Sequence, residues 1–214
     1  MTALMGLKPR LRRARLATYV AADHLKPEFL AQAVAAGSDL LLLAATGDVA
    51  RDAEMIRAAR STFVSRHVLV ATDDGAVAAD AGADVVLLER PSEPRPGHEW
   101  TLLGRRTRDA RTVRHPGRFE FMFIGPGISA GSPVLNAALV HQPVFDEAAL
   151  PWFAYGPADD ATVAQLIGRG VARIAVSTAE ADDPLRVLAA ARDGLAEVWR
   201  SPQAQQYRMR AVTS

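Results

Sequence analysis

The chain has 214 residues, 49% of them hydrophobic and 23% charged, so it is long enough to bury one large core. Its formal net charge of +1 excludes the broad electrostatic attraction expected of a protein whose main partner is nucleic acid or an anionic membrane. Zero cysteines exclude disulfides, thiolate metal sites and a cysteine nucleophile. The basic start lacks signal-peptide character and no run approaches the roughly 18 apolar residues of a membrane span, so we expect a cytoplasmic protein.

Short apolar segments alternate with helix-like segments along the chain. We predict strands at residues 16–21, 39–44, 67–71, 84–88, 101–104, 119–124, 152–155 and 173–177. Helices are predicted at residues 26–36, 48–60, 76–81, 159–168 and 184–200. Asp159, Asp160 and Thr162 stand where they can cap the helix at 159–168. The proline-rich residues 91–97 and the glycine-rich residues 125–131 are predicted loops.

One phrase recurs three times: a helix-like segment, a glycine and then an apolar run. Gly37 and Gly82 each precede an aspartate and a strand, whereas Gly170 precedes a strand that has Arg173 in the place of the aspartate. Glycine after a helix is typical of a left-handed cap, and a short apolar run fits a strand buried on both faces. The repeat therefore indicates a unit of two βα modules.

Eight strands alternating with helices predict a single-domain (β/α)8 barrel, and a doubly wound open sheet is the alternative. We place the barrel at residues 16–200, after a basic segment at 1–15 and before a polar tail at 201–214. The tail is expected either to pack on a neighbouring subunit or to be disordered, and disorder is the preferred interpretation for a terminus.

The barrel interpretation predicts where a ligand binds. Active sites of such barrels lie at the C-terminal ends of the strands, and a phosphate often binds after strands 7 and 8. Gly156 follows strand 7, and Ser177 and Thr178 end strand 8. Glycine lets the backbone approach an anion closely and hydroxyls donate hydrogen bonds, so we predict that these three residues bind phosphate. The alternative is that Gly156 only forms a tight turn and that Ser177 and Thr178 only begin a helix.

Residues 151–156, the helix after them and residues 170–184 resemble the last two βα units of the thiamin phosphate synthases. The phrases at Gly37 and Gly82, and Gly125-Pro126 after strand 6, are also similar to that family and to the related thiazole tautomerases. The resemblance covers residues 16–200 and is most specific in the C-terminal quarter. It implies a barrel enzyme that joins a hydroxymethylpyrimidine diphosphate to a thiazole phosphate while magnesium holds the leaving diphosphate.

Most of the residues that the family uses for this reaction are absent. The Gln-Leu-Arg-Xaa-Lys stretch of the family matches residues 42–46, which contain no cation. Its magnesium-binding aspartate is retained as Asp73, the following Asp74-Gly75 is equally explained as a helix-opening turn, and Glu89 comes slightly early for the second carboxylate. Its Ser-Xaa-His segment and Thr-Xaa-Thr-Lys clamp are replaced by residues 105–108 and 127–132. The resemblance therefore implies half of a magnesium site, with Asp73 as the ligand.

Arginines near the ends of strands 4 and 5 offer another anion site. Arg90, Arg105, Arg106 and Arg108 can rebuild one in a different corner of the barrel mouth, because the planar guanidinium matches a phosphate. We prefer the alternative that residues 105–114 form a solvated helical face, since their five arginines cannot all face one pocket on a helix.

The histidines predict no helical metal site, because no two of the five stand three or four residues apart. His24 follows strand 1 and can reach the mouth. His67 is predicted to begin strand 3, at the opposite end of the barrel, where a structural role is expected.

Two functional hypotheses follow. The first is a thiamin phosphate synthase-like enzyme of thiamin biosynthesis that acts on or binds a small phosphorylated heterocycle, using Asp73 for Mg²⁺ and Gly156, Ser177 and Thr178 for phosphate. The second is a non-catalytic barrel that binds a ligand or a protein partner through the altered mouth. A homo-oligomer is compatible with either hypothesis.

Overall fold

The computed structural model describes residues 6–89 and 100–210 of the chain. Within them, eight parallel strands form a closed barrel in which each strand pairs with the next and β8 pairs with β1. The strands are β1 (Leu16–Val20), β2 (Leu40–Leu43), β3 (Leu69–Thr72), β4 (Val85–Leu88), β5 (Leu102–Thr107), β6 (Phe121–Ile124), β7 (Trp152–Tyr155) and β8 (Ile174–Ser177). The pairing of β8 with β1 confirms the predicted (β/α)8 barrel and rules out an open sheet.

Helices alternate with the strands. In the described ranges they are α1 (Leu7–Arg13), α2 (Pro27–Ala35), α3 (Val49–Phe63), α4 (Gly75–Ala81), α5 (Ala110–Arg114), α6 (Pro133–His141), α7 (Asp160–Gly168), α8 (Pro184–Val198) and α9 (Pro202–Arg210). Short 3₁₀ helices follow β1 and α3, at Ala22–His24 and Val64–Arg66. None of these helices is long and apolar enough to cross a membrane. The loop predicted at 91–97 lies outside the described residues.

Alternate side chains of each strand fill two separate cores, as a barrel requires. Those that point outward pack against the helices, and those that point inward fill the barrel. On the β6 and β7 side of the interior, the rings of Phe123 and Phe153 lie 5.2 Å apart. Gly104 of β5 makes room for Phe121, because a Cβ at that position would lie 1.9 Å from the end of the Phe121 ring. A side chain at position 104 would therefore overpack the barrel interior unless the Phe121 ring moved.

Aspartate or serine starts seven of the described helices by accepting hydrogen bonds from first-turn amides, which an α-helix leaves without partners. The capping residues are Asp48, Asp74, Asp109, Ser132, Asp159, Asp183 and Ser201. Asp159 accepts from the Thr162 amide at 2.7 Å, which confirms the predicted start of α7.

The recurring glycine phrase has a structural explanation at the N-terminal end of the barrel. Gly37, Gly82 and Gly170 all have positive φ, as left-handed helix caps require. The aspartate that follows each of the first two glycines reaches sideways: Asp39 accepts from the Leu16 amide at 3.2 Å and Asp84 from the Val70 amide at 3.0 Å. Each carboxylate thus satisfies a backbone donor at the start of the preceding strand.

Arg173 stands where the third phrase lacks its aspartate, and it links both ends of the chain. Its buried guanidinium donates to the carbonyls of Arg12, Ala14 and Val144 and to the Tyr207 hydroxyl, at 2.9–3.2 Å. It also lies 5.3 Å from the ring centre of Trp199. One side chain therefore holds α1, the loop before β7 and α9 together.

The terminal segments are ordered parts of the barrel. Leu11 of α1 belongs to the barrel interior and closes its N-terminal end. In α9, Ala204 and Tyr207 are buried and three positions apart, which places them on one helix face. The expectation of disorder is therefore wrong for residues 202–210, because these two side chains pack on the chain's own core, whereas packing of the tail on a neighbouring subunit stays a prediction.

Candidate functional site at the barrel mouth

The C-terminal ends of the odd-numbered strands place four polar side chains in the barrel mouth. Tyr19 is the penultimate residue of β1, Asp73 follows β3, Arg106 is the penultimate residue of β5 and Tyr155 ends β7. Layers contributed by alternate strands are the usual way in which such a barrel is filled. Here the uppermost layer is polar, and it separates the apolar interior from the mouth.

Tyr19 and Asp73 form one half of this layer. The Tyr19 hydroxyl donates to Oδ2 of Asp73 at 2.9 Å, and the Ala45 amide donates to Oδ1 at 2.8 Å. Burial and the neighbouring carboxylate raise the pKa of Tyr19 well above its usual value. Tyr19 therefore stays protonated, and each carboxylate oxygen of Asp73 accepts one hydrogen bond.

Arg106 organises the other half of the layer. It forms an ion pair with the exposed carboxylate of Glu89, and its guanidinium lies 5.9 Å from the ring centre of Tyr19. The rings of Tyr19 and Tyr155 are 5.7 Å apart. Burial raises the pKa of Tyr155 against the opposing effects of the Ser177 hydroxyl and Arg106. The guanidinium is thus held in place from two sides before any ligand arrives.

Above this layer, a groove of about 340 Å³ lies at the ends of β4, β5 and β6. Among the described residues it is lined by Glu89, Arg106, Thr107, Arg108, Gly125 and Pro126. Arg108 is exposed, whereas Thr107 is buried and accepts from the Asp109 amide at 3.0 Å. A Cβ on Gly125 would lie 2.2 Å from the Tyr155 carbonyl oxygen, so only glycine fits there.

The arginine-rich segment is not one helical face, and that interpretation is wrong. β5 continues to Thr107, so Arg105 and Arg106 lie in a strand and point to opposite sides. The Arg105 guanidinium lies 5.6 Å from the Phe119 ring centre, away from the mouth. Arg106 and Arg108 face the groove, whereas Arg111 and Arg114 lie in α5. Arg90 lies outside the described residues.

Asp73 lies in the mouth, but its surroundings do not fit a magnesium ion. Magnesium prefers several oxygen ligands in octahedral geometry. The described residues contain no group of three histidine, cysteine, aspartate or glutamate side chains that could hold a metal ion. Both carboxylate oxygens of Asp73 also accept hydrogen bonds within the protein. A metal ion bound to Asp73 would compete with the Tyr19 hydroxyl and the Ala45 amide for the carboxylate oxygens.

Gly156, Ser177 and Thr178 come together at the ends of the neighbouring strands β7 and β8. The Gly156 amide donates to the Ala175 carbonyl at 2.9 Å, and the Thr178 hydroxyl accepts from the Ala21 amide at 2.9 Å. Ser177 and Thr178 are buried, 0% and 6% exposed. The Gly156 amide is therefore used within the barrel, whereas the Thr178 hydroxyl acts as an acceptor in its contact, and the phosphate-binding role of the three residues stays a prediction.

The two histidines considered from the sequence lie away from this layer. His24 ends a 3₁₀ helix, and its ring contacts Asp23 at 2.9 Å and packs on Phe29. His67 precedes β3 with a positive φ, so the prediction that it begins the strand is wrong. Its carbonyl accepts from Arg10 at 3.2 Å, which is a structural contact.

Tyr19 and Tyr155 belong to the mouth, but neither was a candidate from sequence, and Glu89 was considered only as a carboxylate slightly early for the second magnesium ligand. The two tyrosines lie within apolar strands and therefore fit a core pattern. The available signal was their position at the C-terminal ends of odd-numbered strands, where a barrel directs side chains into the mouth.

Comparison with known proteins supports the fold alone. No protein-family model matches this sequence, and a search of curated proteins finds no match. The chain is similar to a solved structure described as a cube-shaped, highly porous protein cage designed by fusing symmetric oligomeric domains. The TM-score is 0.63 at 16% identity, covering 92% of this chain and 76% of that chain. At this identity the similarity carries no statement about ligand or activity.

Proposed function

We propose that this barrel binds a small phosphorylated heterocycle in its mouth, with the phosphate held by Arg106 and Arg108, and does not use magnesium to do so. The observation that carries the proposal is that these two arginines line one groove at the C-terminal face. This is the face at which (β/α)8 proteins bind their ligands.

The two arginines suit different parts of the task. Arg106 is positioned by Glu89 and by the ring of Tyr19, so little side-chain freedom is lost when it binds an anion. Arg108 is exposed at the rim and can close on a ligand from solvent. Guanidinium groups bind phosphate through paired N–H donors, which gives both charge and direction.

Glu89 is the first competitor of any anionic ligand. Its carboxylate contacts Arg106, and its side chain is 57% exposed, so it can leave without uncovering a core. A ligand phosphate would take its place on Arg106. The free energy gained at Arg106 is then the difference between its contact with the phosphate and its contact with Glu89, rather than the whole of the phosphate contact.

We infer a heterocycle as the ligand from the resemblance to thiamin phosphate synthases. The same resemblance suggests a second candidate function, that of a transferase of thiamin biosynthesis. Asp73 favours the second candidate because it lies in the mouth after β3, where that family is expected to bind magnesium. Two observations count against it. Each oxygen of Asp73 already accepts a hydrogen bond from the protein, and residues 42–46 contain no cation to stabilise a leaving diphosphate.

Calorimetric titration with thiamin phosphate and with inorganic pyrophosphate, in buffer containing EDTA, tests the first candidate. Arg108→Gln should weaken binding roughly tenfold, the expected loss for one charged hydrogen bond. Arg114→Gln removes the same charge from the exposed end of α5 and should bind like the wild type. Absence of binding by the wild type, or equal binding by both variants, would contradict the proposal.

Turnover separates the two candidates. Purified protein is given both family substrates with magnesium, beside Asp73→Ala. Thiamin phosphate formation that disappears in Asp73→Ala would establish the transferase. We expect no turnover from protein that is folded and binds thiamin phosphate.

A further inference from the structure

A second groove, of about 330 Å³, lies on the N-terminal face of the barrel, at the opposite end from the mouth. Arg10 reaches it from α1, and Arg57 and Arg60 reach it from α3. Three guanidinium groups from two helices therefore line one concave surface. Nothing in the proposed function uses them.

Hydrogen bonds to the floor of this groove hold two of the guanidinium groups. Arg10 donates through Nε to the His67 carbonyl at 3.2 Å and through Nη2 to the Val68 carbonyl at 2.8 Å. Nη2 of Arg60 lies 3.1 Å from Oδ1 of Asp84. These contacts position charge without a ligand.

Arg57 is held at the rim of the groove. Its Nη2 donates to the carbonyl oxygen of Asp80 at 3.1 Å and to Oδ2 of the same residue at 2.8 Å. Both side chains are about half exposed, so this ion pair adds little to stability. Arg57 can therefore be replaced without disturbing the fold.

Positive charge exceeds negative charge around the groove. Asp84 is the one carboxylate among its described lining residues, and its other oxygen accepts from the Val70 amide at 3.0 Å. Counting Asp80 as well, two carboxylates face three arginines. Burial lowers the pKa of Arg10, the Asp84 carboxylate opposes this effect and the charge of Arg60 adds a smaller lowering.

We propose that this groove is a second binding site, which takes the phosphate group of a small phosphomonoester. Several guanidinium groups converging on one space match the oxygens of a phosphate, and the exposed Ser61 side chain adds a hydroxyl donor at the edge. Val64, 58% exposed, and Val68 form an apolar wall for a short organic group. The volume lies at the lower end of the range for small-molecule sites. The site is independent of the function proposed for the mouth.

NMR titration of the full chain tests this inference, because backbone amides report where a ligand binds. Inorganic phosphate and then glycerol phosphate are added at constant ionic strength. We expect the amide signals of Ser61 and Val64 to shift. Arg57→Gln should weaken that response roughly tenfold. Arg51→Gln, an exposed arginine near the start of the same helix, should leave it unchanged.

This experiment can refute either of the two proposed binding sites without refuting the other. Shifts confined to the Gly125 and Gly127 amides would support the mouth and overturn the second site. Equal titration of Arg57→Gln and Arg51→Gln would also overturn it. So would an equal response to chloride at the same concentration, because that indicates general attraction rather than phosphate recognition. Shifts at Ser61 and Val64 alone would support the second site and count against the mouth.

Discussion

Replacement of Arg173 by methionine tests how the two ends of the chain are held to the barrel. The guanidinium donates to three backbone carbonyls and to the Tyr207 hydroxyl from a side chain that is 1% exposed. Methionine is also unbranched and flexible but shorter, so it fills most of the apolar part of the space and satisfies none of these acceptors. If each carbonyl costs about 1 kcal/mol without its donor, the free energy of unfolding falls by about 3 kcal/mol.

Differential scanning calorimetry measures this loss. For a domain of this length, each kcal/mol corresponds to about 2–4 °C in Tm, so Arg173→Met should melt roughly 6–12 °C below the wild type. Arg169→Met is the matched control, because the Arg169 side chain is exposed and donates a hydrogen bond to the Asn136 side chain rather than to buried backbone carbonyls. Its Tm should change by less than about 2 °C.

Limited proteolysis then tests whether Arg173 links the termini specifically. In Arg173→Met, cleavage should appear first near α1 and α9. An unchanged Tm would refute the energetic argument. A lowered Tm without faster cleavage at either terminus would refute the structural one.

Three further changes have defined outcomes. Gly104→Ala brings a methyl group to 1.9 Å from the Phe121 ring, and the overpacking should lower the free energy of unfolding by about 1–3 kcal/mol in urea titrations. Glu89→Gln weakens the competitor on Arg106, so calorimetry should show pyrophosphate binding tightened by a few-fold. Asp159→Ala removes the cap of α7, and helix-forming amides hold the pKa of this carboxyl below its usual value. A lowered pKa stabilises the fold above the usual carboxyl pKa, so the Tm difference between wild type and variant should shrink as pH falls below about 4.

Each of these outcomes has a direct contradiction. A Gly104→Ala protein as stable as the wild type would mean that Phe121 has room to move. Glu180→Gln removes another exposed carboxylate, after β8, and if it tightens binding as much as Glu89→Gln does, competition at Arg106 is not the cause. A Tm difference for Asp159→Ala that persists in acid would exclude the charged cap as its source.

The sequence predicted the barrel because its elements carry local signals. The strand at 152–155 was placed correctly, since a short apolar run between loop residues leaves few other interpretations. The glycines at 37, 82 and 170 marked helix ends because left-handed backbone favours glycine. Each of these signals depends only on residues that are adjacent in the chain, so it can be recognised from the sequence.

The parts that sequence did not predict depend on partners far along the chain. Arg105 and Arg106 looked like a solvated helix, because nothing nearby indicates that Glu89 and Tyr19 contact one of them and Phe119 the other. The tail looked disordered because it is polar, and its single buried tyrosine gains its partner from Arg173, 34 positions away.

A crystal structure of the protein grown with thiamin phosphate and EDTA is the most direct test of the proposed function. We expect the phosphate within hydrogen-bonding distance of Arg106 and Arg108, with the Glu89 carboxylate moved off Arg106. A structure in which Glu89 still contacts Arg106, with no ligand in the mouth, would contradict it.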